Sequence, residues 1–119
     1  MARIRANSGS GGGRSHYEYR TSVATGSTIT INCGFTPTKI MLTETNTSNN
    51  SVFSYLYDAD YATNKIRYMG GTTSSLDKVW TDWNFGTSGS TIVQLTSTGF
   101  EWHTAVTRSV GRLDIIAIE

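Results

Sequence analysis

The chain has little of several features that mark common classes of protein. It contains one cysteine and one proline, and 16% of its 119 residues are charged, against about 25% in an average domain. The single cysteine, Cys33, excludes an intrachain disulfide and a zinc cluster built from thiolates. No apolar run approaches the roughly 20 residues of a membrane-spanning helix, and no signal-peptide hydrophobic stretch follows Met1. We therefore expect no membrane partner and a protein made in a reducing compartment.

The small number of charges also limits the function. The formal net charge is +1, which is too balanced for a general nucleic-acid-binding protein. Threonine, serine and glycine are abundant instead. Threonine is β-branched and suits half-exposed strands, whereas serine and glycine suit turns. The composition predicts one all-β domain with no nucleic-acid partner.

Residues 1–15 differ from the rest of the chain. They contain Arg3, Arg5 and Arg14 but no acidic residue, and residues 8–13 read SGSGGG. A Gly/Ser tract of this kind is typical of a flexible tether. It lacks the Gly-Lys-Ser/Thr ending and the flanking strand and helix of a phosphate-binding loop. We predict a flexible basic arm over residues 1–15 and a domain over residues 16–119.

From His16 onward, apolar and polar residues alternate with a period of two, which is the pattern of half-buried strands. About eight short segments of this kind are separated by turn signals, a spacing typical of a sandwich or a barrel. Cys33 is in phase with Ile29 and Ile31, which favours a buried thiol over a reactive one. The predicted fold is a single antiparallel β-sandwich, jelly-roll-like, with at most one short helix.

The candidate helix is the one segment with a different period. Leu76, Val79, Trp80 and Trp83 stand at positions i, i+3, i+4 and i+7, and Gly86 would be a suitable end. A short helical turn and an irregular loop are equal alternatives here.

No combination of residues forms a recognisable catalytic or metal site. Asp58, Asp60 and Asn64 resemble the start of a calcium loop, but the central glycine and the closing glutamate are missing. We interpret the aspartates as turn-initiating residues. Glu101 and His103 share one face of a strand, but two ligands do not make a catalytic zinc site. We predict no enzyme activity and no cofactor.

Tyrosine and tryptophan are the remaining signal. Exposed rings act as flat platforms in sugar-binding sandwiches and in single-strand nucleic-acid binders. Buried rings fill a core or a subunit interface instead, and this is the favoured interpretation. The candidate ligand platform is Tyr61, Trp80 and Trp83, with a host surface glycan as its ligand.

Several phrases of the chain together resemble a known group of proteins. They are SGSGGG at 8–13, GFTPTKIML at 34–42, YDADYATNK at 57–65, GFEW at 99–102 and LDIIAI at 113–118. In these phrases the chain is similar to the small β-sandwich structural proteins and modules of tailed-bacteriophage virions, in tail fibres, baseplates and head decorations.

The resemblance implies an oligomeric virion structural protein that is assembled in the bacterial cytoplasm and binds other virion proteins. We place the attachment in the arm, at Arg3, Ile4, Arg5 and Arg14, because 15 extended residues reach roughly 50 Å. The alternative is a carbohydrate- or receptor-binding module that uses the aromatic platform.

The segment 113–118 is apolar on both faces. One face carries Leu113, Ile115 and Ala117, and the other carries Ile116 and Ile118. A sandwich strand normally buries only one face, and a second apolar face has to be covered to prevent aggregation. The segment around Trp80 is one candidate cover, but a neighbouring subunit is simpler. We predict that Ile116 and Ile118 form the face of a homo-oligomer, with a trimer favoured by the resemblance.

Overall fold

A computed structural model of the chain describes residues 3–4, 13–46, 51–72, 81–86, 89–105 and 110–119. These residues form strands and turns, with no helix among them. The strands are β1 (Arg3–Ile4), β2 (Ser15–Val23), β3 (Thr28–Asn32), β4 (Lys39–Asn46), β5 (Ser51–Asp58), β6 (Lys65–Thr72), β7 (Thr81–Asn84), β8 (Thr91–Thr96), β9 (Gly99–His103) and β10 (Val110–Ile118).

The strands form two antiparallel sheets. The large sheet has seven strands in the order β1-β2-β10-β4-β5-β6-β7, and the small sheet has three in the order β3-β9-β8. One face of the large sheet, its inner face, packs against the small sheet, as the contact between Tyr55 and Trp102 shows with ring centroids 4.7 Å apart. The predicted all-β sandwich is confirmed, although its strands are divided unequally.

The period-two pattern explains which side of each strand is buried. In β10, Leu113, Ile115 and Ala117 are fully buried, whereas Ile116 and Ile118 point to the opposite, outer face. The same alternation buries Ile40 and Leu42 of β4. Facing side chains of the two sheets therefore form one core, whose largest fully buried members are Trp102, Tyr55, Tyr57, Phe100, Ile31, Ile40, Leu42, Ile66, Ile92, Leu113 and Ile115.

The small sheet depends on two glycines. Gly99 pairs with Asn32 so closely that an added Cβ would lie 1.8 Å from the carbonyl oxygen of Ile31, so a side chain there has no space. Gly34 follows β3 with φ of +85°, a conformation that favours glycine. Its N–H and that of Cys33 both donate to the carbonyl oxygen of Thr98. Cys33 is buried, as predicted, and burial raises the pKa of its thiol to about 11.

The structure replaces the helical alternative at Trp83 with a strand. Trp83 lies in β7, opposite Ile66 of β6, and its ring stacks on Tyr68 with centroids 4.3 Å apart. Pairing with the edge of β6 satisfies the backbone in an extended conformation, and a helix is incompatible with it. Leu76, Val79 and Trp80 lie outside the described residues.

The turn after β5 is built as the sequence predicted. The Asp58 carboxylate accepts a hydrogen bond from the backbone N–H of Asp60, and the Asp58 carbonyl accepts from the N–H groups of Tyr61 and Ala62. The aspartate therefore initiates the turn.

Two parts of the predicted arm lie against the domain in the structure. Ser15 already begins β2, and the guanidinium of Arg14 donates to both carboxylate oxygens of Glu119. Further along the predicted arm, Arg3–Ile4 pairs with β2 opposite Glu18 and Tyr17. Both of these parts of the arm thus contact the domain, because unpaired backbone groups of an edge strand and a nearby carboxylate offer partners to them.

Candidate functional site

The candidate functional site is the outer face of the large sheet. In the sheet register, Tyr17 of β2 lies beside Ile116 of β10, Ile116 beside Met41 of β4, and Met41 beside Leu56 of β5. Registered residues share one face of an antiparallel sheet, so the four side chains form a row across four strands. Ile118 lies on the same face, two residues after Ile116 in β10. We call these residues, Tyr17, Met41, Leu56, Ile116 and Ile118, the outer apolar face.

Three of the five residues of this face are exposed. Met41 is 55% exposed, and Ile116 and Ile118 are each 41% exposed. Scattered exposed apolar residues are common, but a contiguous group marks an interaction surface. The structure therefore places the two predicted oligomer-face residues together on an open surface, and adds Met41 to them.

Polar groups on one side of the outer apolar face are paired with each other. Arg112 donates from Nε to the Asp114 carboxylate at 3.0 Å, and Tyr17 donates from its hydroxyl to the same carboxylate at 2.8 Å. The Arg112 guanidinium also lies 4.2 Å from the ring centroid of Tyr19. These hydrogen bonds, that from Arg112 first, lower the pKa of Asp114, so its charge balances that of Arg112 across the neutral pH range.

A second side carries a similar cluster. Lys39 Nζ lies 3.3 Å from the carboxylate of Asp60 and 3.7 Å from that of Asp58. The hydrogen bond with Asp60 and the charge of Asp58 raise the pKa of Lys39. Lys39, like Arg112, is thus held beside an acid. The outer apolar face consequently has a rim of neutralised ion pairs, which resembles the apolar centre and polar rim of a protein–protein interface.

The predicted ligand platform is not assembled as one surface. Tyr61 is half exposed, but the guanidinium of Arg67 covers its ring at 3.6 Å and its hydroxyl donates to the carboxylate of Asp82. Trp83 follows Asp82 in β7 and therefore projects from the other face of this strand, where its ring packs on Tyr68. Tyr61 and Trp83 therefore do not share a surface, and Trp80 lies outside the described residues.

The arm residues separate into two groups. Arg3 and Ile4 form β1 on the edge of β2, and Arg5 lies outside the described residues. Arg14 is tied to Glu119 by three hydrogen bonds from its backbone N–H, Nε and a terminal guanidinium nitrogen, at 3.0, 3.0 and 2.8 Å. These bonds lower the pKa of Glu119 to about 2. Arg14 is therefore committed to its own domain.

Sequence reasoning missed two buried carboxylates on the inner face. Glu44 is 1% exposed, and it accepts hydrogen bonds from the Tyr55 hydroxyl at 2.8 Å, the Ser90 hydroxyl at 3.0 Å and the Trp102 indole N–H at 3.3 Å. These donors come from both sheets, so the carboxylate joins the two layers. Glu44 lies on the same side of β4 as the buried Ile40 and Leu42. This alternation is the feature of the sequence that could have predicted its burial.

Glu18 is the second buried carboxylate. It is 2% exposed and lies 2.8 Å from His16 Nε2, while Arg20 donates to its other oxygen at 3.0 Å. Arg20 also donates to the carbonyl oxygen of Thr30 in the small sheet. The chain of contacts thus fixes β2 against the edge of the small sheet.

Two kinds of feature are absent from the described part of the chain. No group of three or more His, Cys, Asp or Glu side chains within it is arranged to hold a metal ion. No helix within it has the length and apolar character needed to cross a membrane. Glu101 and His103 are half-buried on β9, and the His103 ring is hydrogen-bonded to Thr28 instead.

Comparison with protein-family models, with curated proteins and with solved structures found no match to this chain.

Proposed function

We propose that this protein is a structural subunit that associates with copies of itself through the outer apolar face. The observation that carries this proposal is the exposure of Met41, Ile116 and Ile118 on adjacent strands of one sheet face. Covering an apolar side chain of this size that is about half exposed stabilises an assembly by roughly 1 kcal/mol. Several such side chains together supply a useful part of an association energy.

The dimensions of the face fit this use. Strands lie about 4.8 Å apart and rise about 3.3 Å per residue. The five longest strands have eight or nine residues each, so the whole outer side of the large sheet, of which the outer apolar face is a part, presents roughly 650 Å² per copy. Two such faces bury roughly 1,300 Å², within the range of specific protein interfaces.

The charge of the face favours a second copy over a charged partner. Arg112 is paired with Asp114, and Lys39 with Asp58 and Asp60. A nucleic acid or an anionic membrane would select a surface with unpaired basic groups. A neutral face with an apolar centre meets an identical face without net charge repulsion.

The setting we propose is the virion of a tailed bacteriophage, in its tail, baseplate or fibre or as a capsid decoration. The support for this setting is the resemblance of five phrases of the chain to virion sandwich modules, together with the basic arm. In this setting the protein is not an enzyme, its partners are other virion proteins and itself, and a trimer is the favoured oligomer.

The test of self-association is sedimentation velocity over a range of concentrations. We expect the wild type to sediment as an oligomer and the variant Ile116→Ser/Ile118→Ser to shift to monomer. The matched control is Val93→Ser, because Val93 is 39% exposed but lies on the small sheet. A wild type that stays monomeric at high concentration, or a control that dissociates equally, contradicts the proposal.

The setting has its own test. An antibody against the sandwich is expected to label purified phage particles that carry the protein, and deletion of residues 2–12 is expected to abolish incorporation. Particles that carry the shortened protein at normal occupancy show that the arm is not the attachment.

A further inference from the structure

The small sheet has an open edge at β3. In the order β3-β9-β8, β3 is the last strand, and no described strand pairs with its other side. The carbonyl oxygen of Ser27 accepts from the residue after β9, and the N–H of Cys33 donates to the residue before β9. Backbone groups of successive residues in an antiparallel strand point to opposite sides. Those of Thr28, Thr30 and Asn32 therefore point away from β9, along the open edge.

An edge of this kind is a template for the addition of another strand. Its unpaired N–H and C=O groups accept any strand of suitable register. Thr28, Thr30 and Asn32 are exposed, and threonine favours the extended conformation. β3 contains neither a proline nor a charged residue, which are the usual protections of an edge strand. Any such protection of this edge therefore comes from outside β3.

Arg20 of β2 places a charged group on this edge. A terminal nitrogen of its guanidinium donates to the carbonyl oxygen of Thr30 at 3.0 Å. Thr30 is the central residue of the five in β3, so a strand that adds along the edge needs this carbonyl as an acceptor. The guanidinium occupies that position. An added strand has to displace it or bury its charge without a partner, and both cost free energy.

Two buried groups hold the guanidinium in place. Arg20 Nε donates to one carboxylate oxygen of Glu18 at 3.0 Å, and His16 Nε2 lies 2.8 Å from the other. Glu18 and His16 are each 2% exposed. Hydrogen bonds between charged groups are stronger than those between neutral ones. Arg20 is therefore fixed at two points, by Glu18 in the large sheet and by Thr30 in the small sheet.

We propose that Arg20 blocks the addition of a strand of another copy to β3, and that the buried Glu18 and His16 position it for this role. The proposal goes beyond the self-association described above, because it concerns a surface that the chain keeps from associating. It does not depend on the outer apolar face, which lies on the other side of the large sheet.

The test is removal of the guanidinium from the folded protein. In Glu18→Gln/Arg20→Ala, the first change prevents a buried carboxylate from losing its ion pair. Thioflavin T fluorescence under native conditions reports cross-β aggregates, and near-UV circular dichroism reports native packing. We expect fluorescence to rise several-fold faster than in the wild type. The matched control, Arg112→Ala/Asp114→Asn, removes an arginine–carboxylate pair of the same spacing from the outer side of the large sheet. Equal rates in the two variants, or a wild-type rate in the first, overturn the proposal.

A third variant separates strand addition from loss of stability. Thr30→Pro, added to Glu18→Gln/Arg20→Ala, removes an N–H that points along the open edge, a position at which edge strands accept proline. Strand addition predicts a return toward the wild-type rate, because the proline takes away a donor that an added strand needs. A triple variant that aggregates as fast as the double variant overturns the proposal. A wild type that sediments as a monomer rejects only the self-association and leaves this comparison unchanged.

Discussion

The inner and outer faces of the large sheet each contain residues of the type usually found on the other. The inner face buries the carboxylates of Glu44 and Glu18, which are 1% and 2% exposed, whereas the outer face exposes Met41 and Ile116 at 55% and 41%. Burying a charge is costly unless it is paired and hydrogen-bonded. Both carboxylates have several donors, so their burial is satisfied within the chain. The apolar residues outside have no equivalent cover among the described residues.

This comparison shows that the availability of partners, more than polarity, decides where a side chain is stable. Glu44 is acceptable inside because Tyr55, Ser90 and Trp102 donate to it. Ile116 is acceptable outside if another copy covers it. The predictions below alter one face at a time.

The largest effect is expected for Glu44→Ala. The substitution removes the carboxylate that accepts from the buried donors of Tyr55, Ser90 and Trp102, and loss of an acceptor costs about 1–3 kcal/mol for each buried donor. We expect the free energy of unfolding to fall by about 3–5 kcal/mol in urea denaturation. The matched control is Asp60→Ala, whose side chain is 88% exposed, and its effect should be under about 0.5 kcal/mol. Equal losses in the two variants would show that the buried network adds no stability.

The second prediction compares neighbours of the same type on one strand. Ile115 is fully buried on the inner face and Ile116 is 41% exposed on the outer face. Ile115→Ala is expected to lower the free energy of unfolding by about 2–5 kcal/mol, and Ile116→Ala by less than about 1 kcal/mol when measured on the monomer. For association the order reverses, because only Ile116 lies in the outer apolar face. Urea denaturation and sedimentation of both variants provide the two measurements.

Much of the difference between the inner and outer faces could be predicted from the sequence, but not all of it. The sequence predicts an apolar face at Ile116 and Ile118 because residues 113–118 are apolar on both sides of the strand. This pattern can be recognised from neighbouring residues alone. The role of Glu44 is not local, since its donors stand 11, 46 and 58 residues away. Its phase with Ile40 and Leu42 indicates the buried face, but no neighbouring residue indicates that its charge would be satisfied there.

Trp83 also shows that a local sequence pattern does not determine the structure by itself. Its helical spacing with Leu76, Val79 and Trp80 is a local pattern, whereas its strand conformation comes from pairing with Ile66 and stacking on Tyr68. These partners on β6 precede Trp83 by 17 and 15 residues, which is outside the range of a helical spacing pattern. Tertiary contacts therefore decided a conformation for which the local sequence allowed both a helical turn and an irregular loop.

The smallest effect concerns the ion pair at the start of β2. Hydrogen bonds from Arg14 lower the pKa of Glu119 from the ordinary 4.5 to about 2. A carboxylate with a lowered pKa adds stability above its unfolded pKa, and that stability is lost as the pH falls toward its folded pKa. We expect Glu119→Gln to weaken the pH dependence of the free energy of unfolding between pH 4.5 and about 2, and to leave that between pH 6 and 8 unchanged. An unchanged acid limb would show that the pair does not form in solution.

The most direct test of the central claim is whether the outer apolar face is covered in the assembled protein. Met41 is 55% exposed in a single copy, and its thioether oxidises to the sulfoxide when accessible. Its oxidation rate by hydrogen peroxide can be followed by mass spectrometry of the peptide that contains it. We predict that the rate is several-fold lower in concentrated wild type than in diluted wild type or in Ile116→Ser/Ile118→Ser at the high concentration. Equal rates in all three samples would contradict self-association through this face.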